Sequence, residues 1–376
     1  MENYLKAEIS ASAVRANLAV LRRLLAQGEK LCAVVKADCY GHGVETLLGV
    51  LSGGADCLGV ATPNEAIHLR RLGYERPILM FFSACAYVDG PELCSALDEL
   101  ISQRVTLTVV SEAEVAAVGQ SAARVGAVAE VHVKVDSGMG RSGVRPEGVG
   151  GLVERIRRQG GVKLTGMYTH LATADEADKA YAMEQLGQFH EAARSVGGRA
   201  GLTLHAANSA AAIDLPASRL DMIRPGIAVY GYQPSEEMHS RLPLRPVMRL
   251  TGRLMQIKDV PAGSRCGYGL TYEFTRPSRI GLVPMGYGDG YFRCLSGRTT
   301  MRVCGKDAPV RGRVSMDQIV IDLSGVPEAK IGQEVEIISP DPQAPHSVEN
   351  LARLAGTIPY EITVRLGRRV RRVLVD

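Results

Sequence analysis

Through the first two-thirds of the chain, short β-branched apolar runs alternate with amphipathic stretches. The runs are Cys32–Val35, Cys57–Ala61, Ile78–Phe82, Thr106–Val110, Glu130–Val135, Leu164–Thr169, Leu202–Ala206 and the stretch from Met222 through Ile227–Tyr230. Between them, apolar residues recur at three- and four-residue steps over Asn64–Leu72, Ser111–Arg124, Glu147–Arg158 and Asp175–Ser195, the spacing of helices with one buried face. Strand-like and helical segments in strict alternation imply parallel strands joined by crossovers. Eight such units predict an α/β fold, a (β/α)8 TIM-like barrel over residues 1–242.

Past Leu242 the helical period stops. Strand-like runs separated by Gly- and Pro-containing turns follow at Val247–Val260, Ile280–Met285, Thr300–Cys304, Val310–Leu323 and Val335–Ile338, which predicts a second, mainly antiparallel β domain over 243–376. One late helix, Val348–Ala355, opens after Ser347, and a last strand-like segment closes the chain. The early run Leu5–Ile9 precedes the first barrel helix, which leaves open a pairing of residues 1–10 with the second domain.

Composition narrows the class. With 376 residues, 46% apolar and 22% charged, the chain is long enough for two ordinary cores and too apolar for extensive disorder. Its 44 basic and 40 acidic residues are mixed along the length, so no basic face points to nucleic acid. The one dense basic stretch, Arg365–Arg372, carries the valine and leucine spacing of a terminal strand. No segment has the length of a membrane span, and the charged start from Met1 to Glu8 does not look like a secretion signal, so a cytoplasmic location is expected. In that setting the scattered cysteines, Cys32, Cys39, Cys57, Cys85, Cys94, Cys266, Cys294 and Cys304, read as reduced thiols. They show no C-x-x-C pair and no zinc spacing, so no metal is expected.

Working residues of such barrels sit at the carboxyl ends of the strands. Here the first run is followed by Lys36 and Tyr40, the fifth by Arg141, and the sixth ends in His170. The seventh leads through His205 to Asn208 and Ser209, and the eighth contains Arg224 just before Pro225-Gly226-Ile227. A mouth lined by several cations suits an anionic cofactor bearing an aldehyde. A desolvated lysine among other cations has a lowered pKa and is available as a nucleophile. Backbone amides near Gly226 and Ile227 with the Ser209 hydroxyl would cradle a phosphate. Taken alone, Lys36 reads equally well as a snorkelling lysine at a strand end, and His205, which precedes the site, reads as structural.

The motifs resemble those of the alanine racemases, pyridoxal-phosphate enzymes of fold type III. Ala33-Val34-Val35-Lys36-Ala37-Asp38-Cys39-Tyr40-Gly41-His42-Gly43 is similar to the family's cofactor-lysine motif, with Asp38-Cys39 where Asn-Ala is often found. Val135-Asp136-Ser137-Gly138-Met139-Gly140-Arg141 resembles its substrate-arginine loop. Further likenesses run in family order through Tyr168-Thr169-His170, His205–Ser209, Ile223–Ile227, Cys266–Gly269, Gly286–Gly290, Arg313–Gln318 and Thr357–Glu361.

The resemblance implies roles. Lys36 would carry pyridoxal 5'-phosphate and act as one acid/base, with Tyr268 the opposing base, reaching over from the partner of a head-to-tail homodimer. Tyr40, Asn208, Ser209, Gly226, Ile227 and Tyr360 would hold the cofactor, Arg224 would face its ring nitrogen, and His170 would bridge Arg224 and Tyr268. Arg141, Tyr287, Met316 and Asp317 would serve the substrate, alanine. Asp317 reads as well as a turn cap, and Tyr268 between two glycines as a turn aromatic. Lys134 stands where some relatives carry a carbamylated lysine, and a plain strand lysine is the alternative.

Three rivals remain. One is a related racemase acting on serine or on several small amino acids, and another is a decarboxylase on the same barrel, which would need cysteine and carboxylate groups on the β domain. The third is a non-catalytic pyridoxal-phosphate carrier, which would need neither Tyr268 nor a second domain. Gly138-Met139-Gly140-Arg141-Ser142-Gly143 also spells the dinucleotide fingerprint, but helical spacing resumes only after Pro146, whereas that fingerprint opens a helix directly.

Overall fold

The computed structural model describes residues 4–83, 91–198 and 201–376, so the reading of Cys85 lies outside the described residues. Eight parallel strands follow one another in order: Lys30–Val34, Cys57–Val60, Ile78–Ser83, Val105–Val109, Ala129–Lys134, Val162–Tyr168, Thr203–His205 and Met222–Ile223. The last pairs with the first through Lys30↔Met222 and Leu31↔Ile223, curling the sheet into a barrel. Local chemistry sets the helices between them. Thr62 and Glu65 form a capping box ahead of Pro63–Arg71, and Ser111 caps Glu112–Val125, which Gly126 ends in a left-handed conformation.

One seam has no strand ladder. Between Thr203–His205 and Met222–Ile223 the Asp221 amide donates to Leu204 O at 3.0 Å, and the Leu204 amide donates to the Asp221 carboxylate at 2.8 Å. A little further on, the Arg224 amide reaches Ala207 O at 2.9 Å.

Two barrel segments differ from the sequence reading. Ile227–Tyr230 is a buried 3-10 turn, not the end of the eighth strand. A fully enclosed apolar run has no period with which to announce its backbone. The helix expected from Asp175 begins at Ala180, because Lys179 turns back to bond Asp214 and the Ala174 carbonyl, both at 2.9 Å, and holds the preceding residues as a loop.

The second domain is built on a nine-stranded sheet in the order Gln256–Val260, Ser278–Val283, Ile319–Asp322, Lys306–Arg311, Thr300–Val303, Glu334–Ile338, Met248–Arg253, Leu5–Ser10 and Arg371–Val375. Its neighbours are antiparallel except the last pair. The amino-terminal strand thus belongs to this sheet and ties it to the barrel. Arg249 secures the junction through Glu8, Glu334 and Glu336 at 3.0, 2.7 and 2.6 Å. Ser347 caps Val348–Ala355 as the sequence suggests. A second short helix, Pro359–Val364, was not legible as one and carries Tyr360.

Candidate active site

The barrel mouth encloses a cavity of about 510 Å³ lined by Lys36, Tyr40, Lys134, Arg141, His170, Asn208, Ser209, Arg224, Gly226, Ile227 and Tyr360, with Phe81, Phe82 and Tyr168 on its apolar side. Four cations and no carboxylate line it among the described residues. Such a site favours a polyanion, because enclosed like charges stabilise whatever opposite charge enters.

Lys36 stands at the end of the first barrel strand, open to the cavity. Enclosure in the mouth lowers its pKa, and Arg141 adds to this while Glu65 opposes it. Behind it the backbone takes a conformation that the sequence does not announce. Ala37, Asp38, Cys39 and Tyr40 all have positive φ, at 51°, 54°, 55° and 53°, and none is glycine. A left-handed turn of L-residues costs roughly 1–2 kcal/mol per residue, so the surroundings must hold it. The Ala37 amide donates to Glu65 at 2.7 Å and the Val44 amide to Asp38 at 2.7 Å. His42 bonds the Cys39 and Tyr40 carbonyls at 2.9 and 3.0 Å. The turn delivers Tyr40 against Gly226, where an added Cβ would lie 2.2 Å from the tyrosine hydroxyl. Any side chain there would push the buried Tyr40 ring aside.

Ser209 fixes the same stretch of backbone from another side. Its hydroxyl accepts the Gly226 and Ala228 amides at 2.9 and 3.4 Å, and the Asn208 side chain caps the helix Ser209–Asp214.

Arg224 is buried. Its guanidinium donates to His205 Nδ1 at 2.9 Å, to Thr169 O at 2.8 Å and to Ala206 O at 3.2 Å, and it lies over the Tyr168 ring at 5.2 Å. Burial pulls its pKa down to about 10, so it stays charged at neutrality. Because an arginine can only donate, His205 must accept at Nδ1 and offer Nε2–H to His132 Nδ1, 2.9 Å away. Burial, with Arg224 next, holds both histidines neutral, His132 near pKa 3. Within this chain none of the Arg224 bonds goes to His170. His170 lines the cavity, and burial followed by Arg224 depresses its pKa to about 3. His132 and Tyr168, neither given a role from the sequence, complete the support. The register Lys134↔Tyr168↔His205 across adjacent strands is the signal that could have found Tyr168, and His132, two residues before Lys134, shares its face of the strand.

The Lys134 ammonium makes no hydrogen bond or ion pair among the described residues and sits 5.9 Å from the centre of the Tyr168 ring. Burial, then Arg141 and Arg224, lowers its pKa to about 8. The Arg141 loop wraps around Asp136, whose carboxylate accepts the Gly138, Gly140 and Arg141 amides at 3.2, 3.0 and 3.1 Å. No helix opens before Pro146, so the dinucleotide reading fails.

The remaining candidates lie outside this cavity. Tyr268, Tyr287 and Met316 stand on the β domain, 70%, 43% and 54% exposed. Tyr287 and Met316 are neighbours: the Tyr287 and Gly288 amides donate to the Ser315 and Met316 carbonyls at 3.1 and 2.9 Å. Asp317 pairs with Arg369 at 2.7 Å, and the same guanidinium holds Asp289 at 2.8 Å.

The family model of the alanine racemase N-terminal domain matches residues 9–234, and that of the C-terminal domain matches 247–374. The chain belongs to the alanine racemase family. Within that family it is 41% identical to the alanine racemase of Desulfovibrio desulfuricans over 98% of each chain, and 36% identical to that of Methanococcus maripaludis over 98% of this chain and 97% of the other. A solved alanine racemase from Clostridium difficile 630 superposes with a TM-score of 0.91 at 36% identity, covering 100% of this chain and 96% of that one. Both family domains are present, so the carrier reading, which needs only a barrel, loses its ground.

Proposed function

We propose that this chain is an isomerase that interconverts L- and D-alanine by a two-base route with pyridoxal 5'-phosphate, from a shared site in a head-to-tail homodimer. The observation that carries the reading is the cavity of four cations without a carboxylate, with a lysine of lowered pKa at its mouth. These residues fit a phosphate ester bearing an aldehyde. Lys36 would hold the aldehyde carbon. Tyr40, Asn208, Ser209, Gly226, Ile227 and Tyr360 would surround the phosphate end, and Arg224 would face the ring nitrogen. When bound, the cofactor draws electrons from the α-carbon and makes its proton removable.

The chain's own groups do the rest. Arg224, charged and unable to accept, disfavours protonation of the ring nitrogen, which limits delocalisation and side reactions. Arg141 binds the substrate carboxylate. Lys36 Nζ exchanges the α-proton on one face and the Tyr268 hydroxyl on the other, Tyr268 coming from a second copy, since in its own chain it stands on the exposed side of the β domain. Tyr287, Met316 and Asp317 arrive with it. Residues 1–242, apart from the amino-terminal strand, act as the cofactor domain together with Tyr360, and the rest of 243–376 as the domain that completes the neighbour's site.

Tyr40, Tyr287 and Tyr360 narrow the pocket toward a methyl side chain. Discrimination by one hydroxyl or methylene is only roughly 10–200-fold, so serine is a slow substrate. No helix among the described residues is long and apolar enough to cross a membrane. The proposed setting is the cytoplasm, with D-alanine supplied for wall building. Circular-dichroism detection of chirality loss across a panel of L-amino acids tests the reading: alanine should racemise fastest, and serine at the same rate would replace it with the broad-specificity alternative.

A further inference from the structure

Glu65 lies on the helix after the second barrel strand, yet it is bonded to the end of the first. One carboxylate oxygen accepts the Ala37 amide at 2.7 Å. The other accepts the Ala61 and Thr62 amides at 2.8 and 3.1 Å. A capping box needs only the Thr62 bond; the Ala37 bond serves no part of that helix. It falls on the residue immediately after Lys36, at the entry to four consecutive left-handed residues that lack the glycine such a backbone favours. The Thr62 hydroxyl, by contrast, hydrogen-bonds only the Glu65 amide of the same helix among the described residues.

We propose that Glu65 is a positioning residue for the cofactor lysine: by tying the Ala37 amide to the neighbouring strand end, its carboxylate holds the left-handed turn that aims Lys36 into the cavity. The inference rests on the reading of Lys36 as the residue that carries the cofactor. Its charge also acts at the lysine itself, opposing the lowering of the Lys36 pKa by burial and Arg141. The two functions of Glu65, capping and aiming, use different bonds and can be separated by mutation.

The test uses full-length apoprotein of the wild type, E65A, T62A, A37G and the E65A/A37G double variant. Each is titrated with pyridoxal 5'-phosphate, reduced with borohydride and mapped by peptide. The quantity read is the apparent Kd for labelling at Lys36. Loss of a charge-assisted bond should weaken labelling in E65A roughly tenfold, while T62A, which damages only the cap, stays within about twofold of wild type. Glycine takes positive φ without penalty, so Ala37→Gly in the E65A background should recover most of the loss. If E65A folds poorly, Glu65→Gln keeps the volume and one acceptor oxygen and should give an intermediate loss. Equal labelling in E65A and T62A, no loss in E65Q, or failure of Ala37→Gly to restore E65A would each overturn the proposal. A wild-type label on Lys134 or Lys163 would instead overturn the assignment of Lys36, and is distinguishable because it needs no Glu65 variant to be seen.

Discussion

At the barrel mouth Arg224 and Tyr40 are buried and packed into the core, whereas on the β domain Tyr268, Tyr287 and Met316 stand out into solvent. The two regions carry the two halves of the proposed chemistry. The binding half is preorganised by the fold of a single chain, each group fixed by neighbours that also stabilise the barrel. The second base, Tyr268, and its companions have little packing in their own chain to fix them and find their place only against another copy. Stability and activity should therefore separate on the β-domain face and fail together in the barrel.

The largest effect is expected on the exposed side. Tyr268→Ala should lower racemisation by about 10²–10⁴-fold with much less loss of stability than a barrel substitution causes, because in its own chain the side chain is 70% exposed. It should still exchange the α-proton of D-alanine with solvent deuterium faster than that of L-alanine, since the lysine face survives. Mixing it with Lys36→Ala subunits should restore activity, as one site of each heterodimer receives neither lesion. Equal loss of exchange for both enantiomers would break the two-base assignment, and no complementation despite proven subunit exchange would break the shared site.

On the buried side, Arg224→Met should damage both properties. It leaves His205 Nδ1 and the Thr169 and Ala206 carbonyls without their donor, a loss of about 2–4 kcal/mol in unfolding free energy, and it should weaken cofactor binding as well. Chemical denaturation of apoprotein and holoprotein measures the two together, and wild-type stability in the apoprotein would erase the contrast between the regions.

Acid should sharpen the same contrast. His42 and His132 are held near pKa 4 and 3, and His205 well below 6.5, mainly by burial. The unfolded chain takes up protons below pH 6.5 that the native barrel refuses. Barrel stability is thus full above 6.5 and falls with the pH below it, by about 1.4 kcal/mol per histidine per pH unit. In the β domain Glu336 is lowered to about 2 by His346 and Arg249, so its contribution persists above 4.5 and is lost only as the pH drops through 2. Hydrogen exchange, corrected for intrinsic rates, should show barrel amides losing protection before β-domain amides between about pH 6.5 and 4.5. Simultaneous loss would refute this ordering.

Much of this was legible in the chain. Seven of the eight barrel runs coincide with strands because a parallel strand buried on both faces needs a continuous apolar run, and the polar residues after them line one mouth because parallel strands end on the same side. What was hidden shares a cause. Ile227–Tyr230 and Pro359–Val364 are too short to show a period. The positive φ at Ala37–Tyr40 is held by bonds from Glu65, Asp38 and His42 and is not announced by any glycine in the run. Which of His170 and His205 faces Arg224 depends on strand register, which spacing alone leaves undetermined.

The seam between Thr203–His205 and Met222–Ile223 has a kinetic meaning. Every other strand pair of the barrel opens only by unzipping a ladder, but here two bonds at Asp221 and the Arg224 amide carry the backbone closure, with the Arg224 side chain reaching across to His205 and Ala206. The barrel should breathe first along this line, so the Leu204 and Asp221 amides are its natural early exchangers. Ser209 follows one edge of the seam and Arg224 the other. A cofactor seated between them would act as a rivet across the joint, slowing its opening when bound and leaving by way of that opening when released.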